Sequence, residues 1–177
     1  MTDSKFQGAF DNLMALEGGQ ATDHAGATNF GITLRNLIAV GDMDFDKDHD
    51  GDLDKQDLWA FTREDARVYV YRHWWKNIGL DEIMSPAVAS KALDIIYNCG
   101  VPRGVKILQL ACNQFGANLT ANGKLDPRTL RSLNRINDGS LLNAIREEQK
   151  RWYEYLIRTQ PAKYKAYEKG WMRRART

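Results

Sequence analysis

The chain has 177 residues, 43% of them hydrophobic, and carries 25 Lys or Arg against 23 Asp or Glu for a formal net charge of +2. That length suffices for one compact domain, or two small lobes sharing a core, with room for a cleft. No apolar run approaches the ~18 residues of a membrane span, and the N-terminus lacks the basic-then-apolar order of a signal peptide, so the chain is expected to be made and kept in the cytoplasm.

The first element is a helix. Phe6, Phe10, Leu13 and Met14 recur at helical spacing, Ser4 with Gln7 fits a capping box, and Gly18-Gly19 supplies a left-handed stop. Glu17 continues the apolar stripe at the last turn. A carboxyl on an inward face loses water, which disfavours its charged form and raises its pKa towards values useful for proton donation. The same position also suits a Glu whose stem packs while its head reaches solvent.

Residues Asp46 to Asp57, DKDHDGDLDKQD, match the calcium loop of an EF-hand. Asp46, Asp48 and Asp50 take positions one, three and five, Gly51 makes the sharp turn, and Leu53 is the apolar residue at eight. Asp52 would offer its backbone carbonyl, and Asp54 would act directly or through water. Asp57 replaces the usual bidentate Glu, and its shorter side chain weakens binding or shifts selectivity towards magnesium. From Asp42 to Asp57 eight Asp face only Lys47 and Lys55, a net of minus six that a cation would relieve. Leu34 to Val40 is expected as the entering helix and Leu58 onwards as the leaving one.

Nearly every later segment reads as helical. Thr62 with Asp65 starts a helix whose Ala66, Tyr69, Val70, His73 and Trp74 form one core face, with Trp74 or Trp75 available to edge a groove. Ser85-Pro86 opens a helix that runs through Asp94 to Gly100, Val101 to Gly104 turns into another ending near Gly116, and Asp126-Pro127 starts a further one. Beyond Ser140 the stripe Leu142, Ile145, Gln149, Trp152, Tyr153 and Leu156 marks the longest helix. Cys99 and Cys112 lack metal-ligand spacing and read as free, buried thiols.

Several of these stretches together resemble the phage and bacterial muramidases of glycoside hydrolase family 108. The residues that carry the likeness are Glu17-Gly18-Gly19, the Gly26 to Thr33 run, the aromatic cluster Tyr69 to Trp75, Asp94 with Asn98 and Gly100, Asn122-Gly123 with Thr129, and Lys169 to Arg173. The resemblance implies a mainly α, lysozyme-like fold, with a small irregular or β turn region after the first helix. It also implies hydrolysis of the β-1,4 bond between N-acetylmuramic acid and N-acetylglucosamine in peptidoglycan, with Glu17 as general acid. The family usually has a longer Asp- and Pro-rich link after Glu-Gly-Gly; here it is only Gln20 to Ala25. Within it Asp23 is the nearest candidate for a second carboxylate or water-positioning group, or is a turn residue bonding its own backbone. Thr28 joins the catalytic candidates or braces the turn, and Asn29 and Asn98 are the substrate-binding candidates.

The expected organisation is one lysozyme-like domain over 1–177. It comprises a catalytic lobe over 1–84, with the EF-hand-like insertion at about 34–62, and a helical lobe over 85–177 resembling a peptidoglycan-binding region. Residues Lys150 to Thr177 hold nine Lys or Arg against Glu154 and Glu168. Such a surface suits wall polymers or an anionic membrane or outer-membrane surface, whereas no nucleic-acid-binding motif accompanies it. A monomeric phage endolysin, released from the host cytoplasm through a separate holin-type pore, is the expected role. The alternatives are a lytic transglycosylase or a non-catalytic, calcium-dependent peptidoglycan-binding module.

Overall fold

The computed structural model describes residues 3–16, 20–23 and 26–177, apart from the side chain of Asp23. Glu17, Gly18, Gly19 and His24 therefore lie outside the described residues. The chain is mainly α-helical with one small antiparallel sheet, as a lysozyme-like fold requires. It divides into two compact units, Phe10–Ile78 and Met1–Ala9 with Gly79–Thr177. Among the described residues no helix is long and apolar enough to cross a membrane.

Helix α1, Ser4–Leu16, buries Phe6, Phe10 and Leu13 as its spacing predicts, and Ala9 with them, whereas Met14 is only half-buried. Its cap is Asp3 and not Ser4, because the Asp3 carboxylate accepts from the Phe6 N–H at 3.1 Å and the Asp3 carbonyl from Gln7 at 2.9 Å.

The unit Phe10–Ile78 begins with strands β1 (Ala21–Asp23), β2 (Gly26–Asn29) and β3 (Ile32–Thr33), paired in that order. Asn29 faces Ile32 across a two-residue turn in which Phe30 and Gly31 both hold positive φ, 51° and 76°. Two positive φ values give the twist that joins adjacent antiparallel strands. Thr33 then caps α2, Leu34–Val40, and Gly41 ends it in the left-handed region at φ 67°. A 3-10 turn, Met43–Phe45, leads to the acidic loop, followed by α3 (Lys55–Ala60) and α4 (Arg63–Val70). Thr62 and Asp65 form the expected capping box on α4.

Beyond α4 the helix widens into a π-helix, Tyr71–Lys76. That extra residue per turn shifts the register. Trp75 is consequently fully buried, while His73 and Trp74 are only half-buried, which removes Trp75 as the edge of a groove. Phe45, Phe61 and Tyr69 form the aromatic core here, with Phe45 centred 5.2 Å from Phe61 and 5.3 Å from Tyr69. Burial pushes the Tyr69 hydroxyl up to about 12, and it donates to the Asn36 carbonyl.

In the other unit Lys5, early in α1, donates to the carbonyls of Asp81 and Ile83 at 2.7 and 2.6 Å. Helices α5 (Pro86–Cys99), α6 (Val101–Asn113) and α7 (Pro127–Leu133) follow, with Ser85 and Asp126 as the expected caps of α5 and α7. Gly104 lets α6 approach α5, since a Cβ there would lie 2.5 Å from Ile96 Cγ1 and 2.7 Å from its Cα. The 22-residue α8, Asp138–Thr159, buries Leu141, Ile145, Gln149, Tyr153 and Ile157. The inward face is thus turned from the expected one: Leu141 and Ile157 replace Leu142 and Leu156, and Trp152 is only half-buried. Two short helices, α9 (Pro161–Tyr164) and α10 (Glu168–Arg176), complete the chain, with Trp171 stacked 4.8 Å from Tyr153.

Asp94 is 5% exposed and joins Lys91 at 3.2 Å and Arg174 Nε at 2.6 Å, so it fastens α10 to α5. Asn122, Gly123 and Thr129 have a structural role too. The buried Gln109 amide donates to Asn122 Oδ1, Lys124 O and Thr129 Oγ1 and accepts from Gly123 N, all at 3.0–3.1 Å. Gly123 cannot carry a side chain, because a Cβ would sit 2.5 Å from Pro102 O at φ +80°.

Candidate active-site hairpin and acidic loop

The hairpin and the acidic loop meet at α3, within the unit Phe10–Ile78. Gln20 Nε2, just before β1, donates to Trp59 O at 2.8 Å. Asn29 is 2% exposed and its amide donates to Leu58 O at 2.9 Å, so this substrate-binding candidate occupies a bracing position between β2 and α3. Thr28 pairs with Ala21 and Thr33, and its hydroxyl donates to Ala21 O at 3.4 Å, the turn-bracing role. Asp23 pairs with Gly26 at the end of the hairpin. Asn98 belongs to the other unit, where it is exposed on α5 and accepts from the Tyr153 hydroxyl at 2.7 Å.

Helix α3 begins inside the acidic loop. Asp54 is its cap and Asp57 completes a reciprocal capping box, with Asp57 Oδ2 accepting from Asp54 N at 2.8 Å. The Asp57 carboxylate is 1% exposed, and Oδ1 accepts from Lys47 N at 2.6 Å, clasping both ends of the loop. The acidic residue three positions after Asp54 is the capping-box spacing, which the metal-loop reading of the sequence had absorbed.

Asp46 organises the first half of the loop by accepting from His49 N at 2.7 Å and Gly51 N at 3.1 Å. Gly51 holds φ 96°, a conformation glycine adopts freely. The carboxylates of Asp46, Asp48 and Asp50 converge with oxygens within 4.8 Å of one another, as do those of Asp52, Asp54 and Asp57. These oxygen-only donors suit a hard cation such as calcium or magnesium. Crowding has an electrostatic signature: the Asp52 pKa is raised, first by the charge on Asp50, and that of Asp48 by desolvation and then by Asp50.

On the entering side the helix has the bounds read from the sequence, Leu34–Val40. Helix α2 ends at Val40, and a 3-10 turn capped by Asp42 separates it from Asp46. Asp42 is held by His73 at 2.8 Å and Arg72 at 3.2 Å. Burial opposes ionisation of Asp42, but these bonds and the Asp44 N–H outweigh it and lower its pKa.

Both cysteines are free and protonated at neutral pH, burial pushing Cys99 up to about 11 and Cys112 up to about 12. Cys112 is buried, as expected, whereas Cys99 retains some exposure.

Residues 10–100 match the family model described as Glycosyl hydrolase 108, and residues 103–176 match one described as a predicted peptidoglycan domain. No curated protein matches the chain. Among solved structures, SagA from Brucella abortus is similar at a TM-score of 0.69 and 23% identity, over 98% of this chain and 95% of that one. At that identity the likeness speaks for the fold.

Proposed function

The chain belongs to the glycosyl hydrolase 108 family, and on that premise we propose that it is an N-acetylmuramidase cleaving the β-1,4 bond of peptidoglycan, with Glu17 as general acid. The observation that carries this reading is the succession of a glycosidase model and a peptidoglycan-domain model along one chain. Glu17 donates a proton to the glycosidic oxygen as the bond breaks. Asp23 is the second carboxylate, acting as nucleophile or as base according to its distance from Glu17, and Thr28 supports the site. A phage endolysin acting on the wall after release through a separate pore accounts for the activity.

Calcium is the cation of the acidic loop in this reading. Asp46, Asp48, Asp50 and Asp57 would hold it through carboxylates, Asp52 through its carbonyl, and Asp54 directly or through water. Because Gln20 and Asn29 both bond to the helix that starts in this loop, an ion there would stiffen the hairpin following Glu17.

The test is mass spectrometry of purified peptidoglycan after digestion. Reducing N-acetylmuramic acid ends are expected, and Glu17→Gln is expected to lower the rate by about 10²–10⁴ while folding persists. Anhydro-muramic ends would move the chemistry to lytic transglycosylation, and full activity in Glu17→Gln would remove Glu17 from the mechanism.

A further inference from the structure

Helix α7 and the segments flanking it form a pocket of about 410 Å³, lined by Phe115, Ala117, Arg128, Arg131, Arg135 and Ile136. The arginines follow at intervals of three and four residues, so one helical face presents all three; Arg135 lies in the closing turn, where its N–H donates to Ser132 O. Like charges so placed repel one another. Among the described residues none of the three is in an ion pair, whereas Arg151, on α8 in the same unit, pairs with both Glu147 and Glu148. Arg128 instead donates to Asn118 O at 3.1 Å.

The chain leading from α6 to α7, which supplies Phe115 and Ala117, is held by side chains of α6. Asn113 exchanges hydrogen bonds with the Leu119 backbone at 2.6 and 2.9 Å, and Gln109 grips the chain from Asn122 to Lys124. Phe115, 46% exposed at the end of α6, gives the pocket an apolar side. Three planar guanidinium groups beside an apolar wall in one cavity match a ligand that joins carboxylate to hydrocarbon.

Within peptidoglycan the glycan offers mainly hydroxyls and amides, while the stem peptides carry free carboxylates, alanine methyls and methylenes. We propose that Arg128, Arg131 and Arg135 bind stem-peptide carboxylates, with Phe115 and Ile136 against the aliphatic part. This rests on reading residues 103–176, which contain every lining residue, as a peptidoglycan domain.

The experiment is co-sedimentation on ice with intact purified sacculi, challenged either with soluble stem peptide or with soluble N-acetylglucosamine oligomers, which carry no carboxylate. Stem peptide is expected to release the wild-type chain, and the oligomers to release it far less. Arg131→Gln with Arg135→Gln is expected to lower affinity for intact sacculi about tenfold or more and to abolish the effect of stem peptide. Both side chains are exposed, and an unchanged melting temperature shows that the variant folds. No release of the wild-type chain by stem peptide, or undiminished retention of the variant, overturns the pocket assignment while the glycan-cleaving reading stands. No retention of the wild-type chain on intact sacculi overturns both. Release by inorganic phosphate but not by stem peptide would make the pocket a phosphate site and also overturn the proposal.

Discussion

Replacing Gln109 with Leu isolates what holds the pocket loop. Leucine keeps the volume but removes an amide whose nitrogen serves Asn122, Lys124 and Thr129 and whose oxygen receives the Gly123 N–H. Gln109 is 1% exposed and its bond with Gly123 is buried, so the orphaned N–H gains no water in exchange. An unsatisfied buried donor costs about 1–3 kcal/mol. The lost acceptor contacts add about 1 kcal/mol, since two amide hydrogens are shared among three acceptors, of which Asn122 and Lys124 are partly solvated and Thr129 is buried. A total of about 3 kcal/mol corresponds to a fall in melting temperature of about 6–12 °C for a chain of this size. Thermal denaturation followed by circular dichroism reads the shift, and sedimentation with intact sacculi at low temperature shows whether the loosened wall weakens retention. A melting temperature within about 2 °C of wild type would show that the loop stands without Gln109 and would refute the reasoning.

Three further outcomes are expected. Calcium at about a hundred times its dissociation constant should stabilise the folded chain by about 2.7 kcal/mol, or roughly 5–10 °C, and Asp46→Ala with Asp48→Ala should remove that shift. The raised pKa values of Asp48 and Asp52 mean that the ion-free folded state binds protons more tightly there than the unfolded chain. Their destabilisation is absent below the ordinary value of 3.8 and grows as pH rises through the folded values. Calcium stabilisation should therefore be full near neutrality and shrink as pH falls towards 3.8, and scanning calorimetry with and without chelator would contradict this if the shift were equal at both ends. Separately, Asp94→Ala leaves Lys91, 5% exposed, without its counter-charge, and should cost about 3–5 kcal/mol in a denaturant titration. A loss below about 1 kcal/mol would show that Arg174 and Lys91 find other support.

Local signals were legible in the sequence because their chemistry closes within three or four residues. Thr62, Ser85 and Asp126 cap the helices they were expected to cap, since each side chain bonds an N–H three positions on. Spacing alone likewise identified the turn at Gly51 and the converging Asp46, Asp48 and Asp50. The stripe of α1 was readable up to Leu13, because a regular helix repeats its inward face. Where the backbone changed its period, the pattern misled, since the π-helix turned Trp75 inward. In the regular helix α8 apolar residues lie side by side, so spacing alone did not choose Leu141 and Ile157 over Leu142 and Leu156 for the inward face.

Other features depend on where distant segments of the folded chain come to lie. Asn29 braces β2 because Leu58 lies beside it, 29 residues on, and Asp94 is a fastening because Arg174 returns to it from 80 residues away. No sequence motif marked Arg128 and Arg131 of α7 or Arg135 just beyond it. They became a pocket only when the end of α6 set Phe115 beside them and Gln109 held the intervening loop, because no local periodicity encodes which remote surfaces the chain path will bring together.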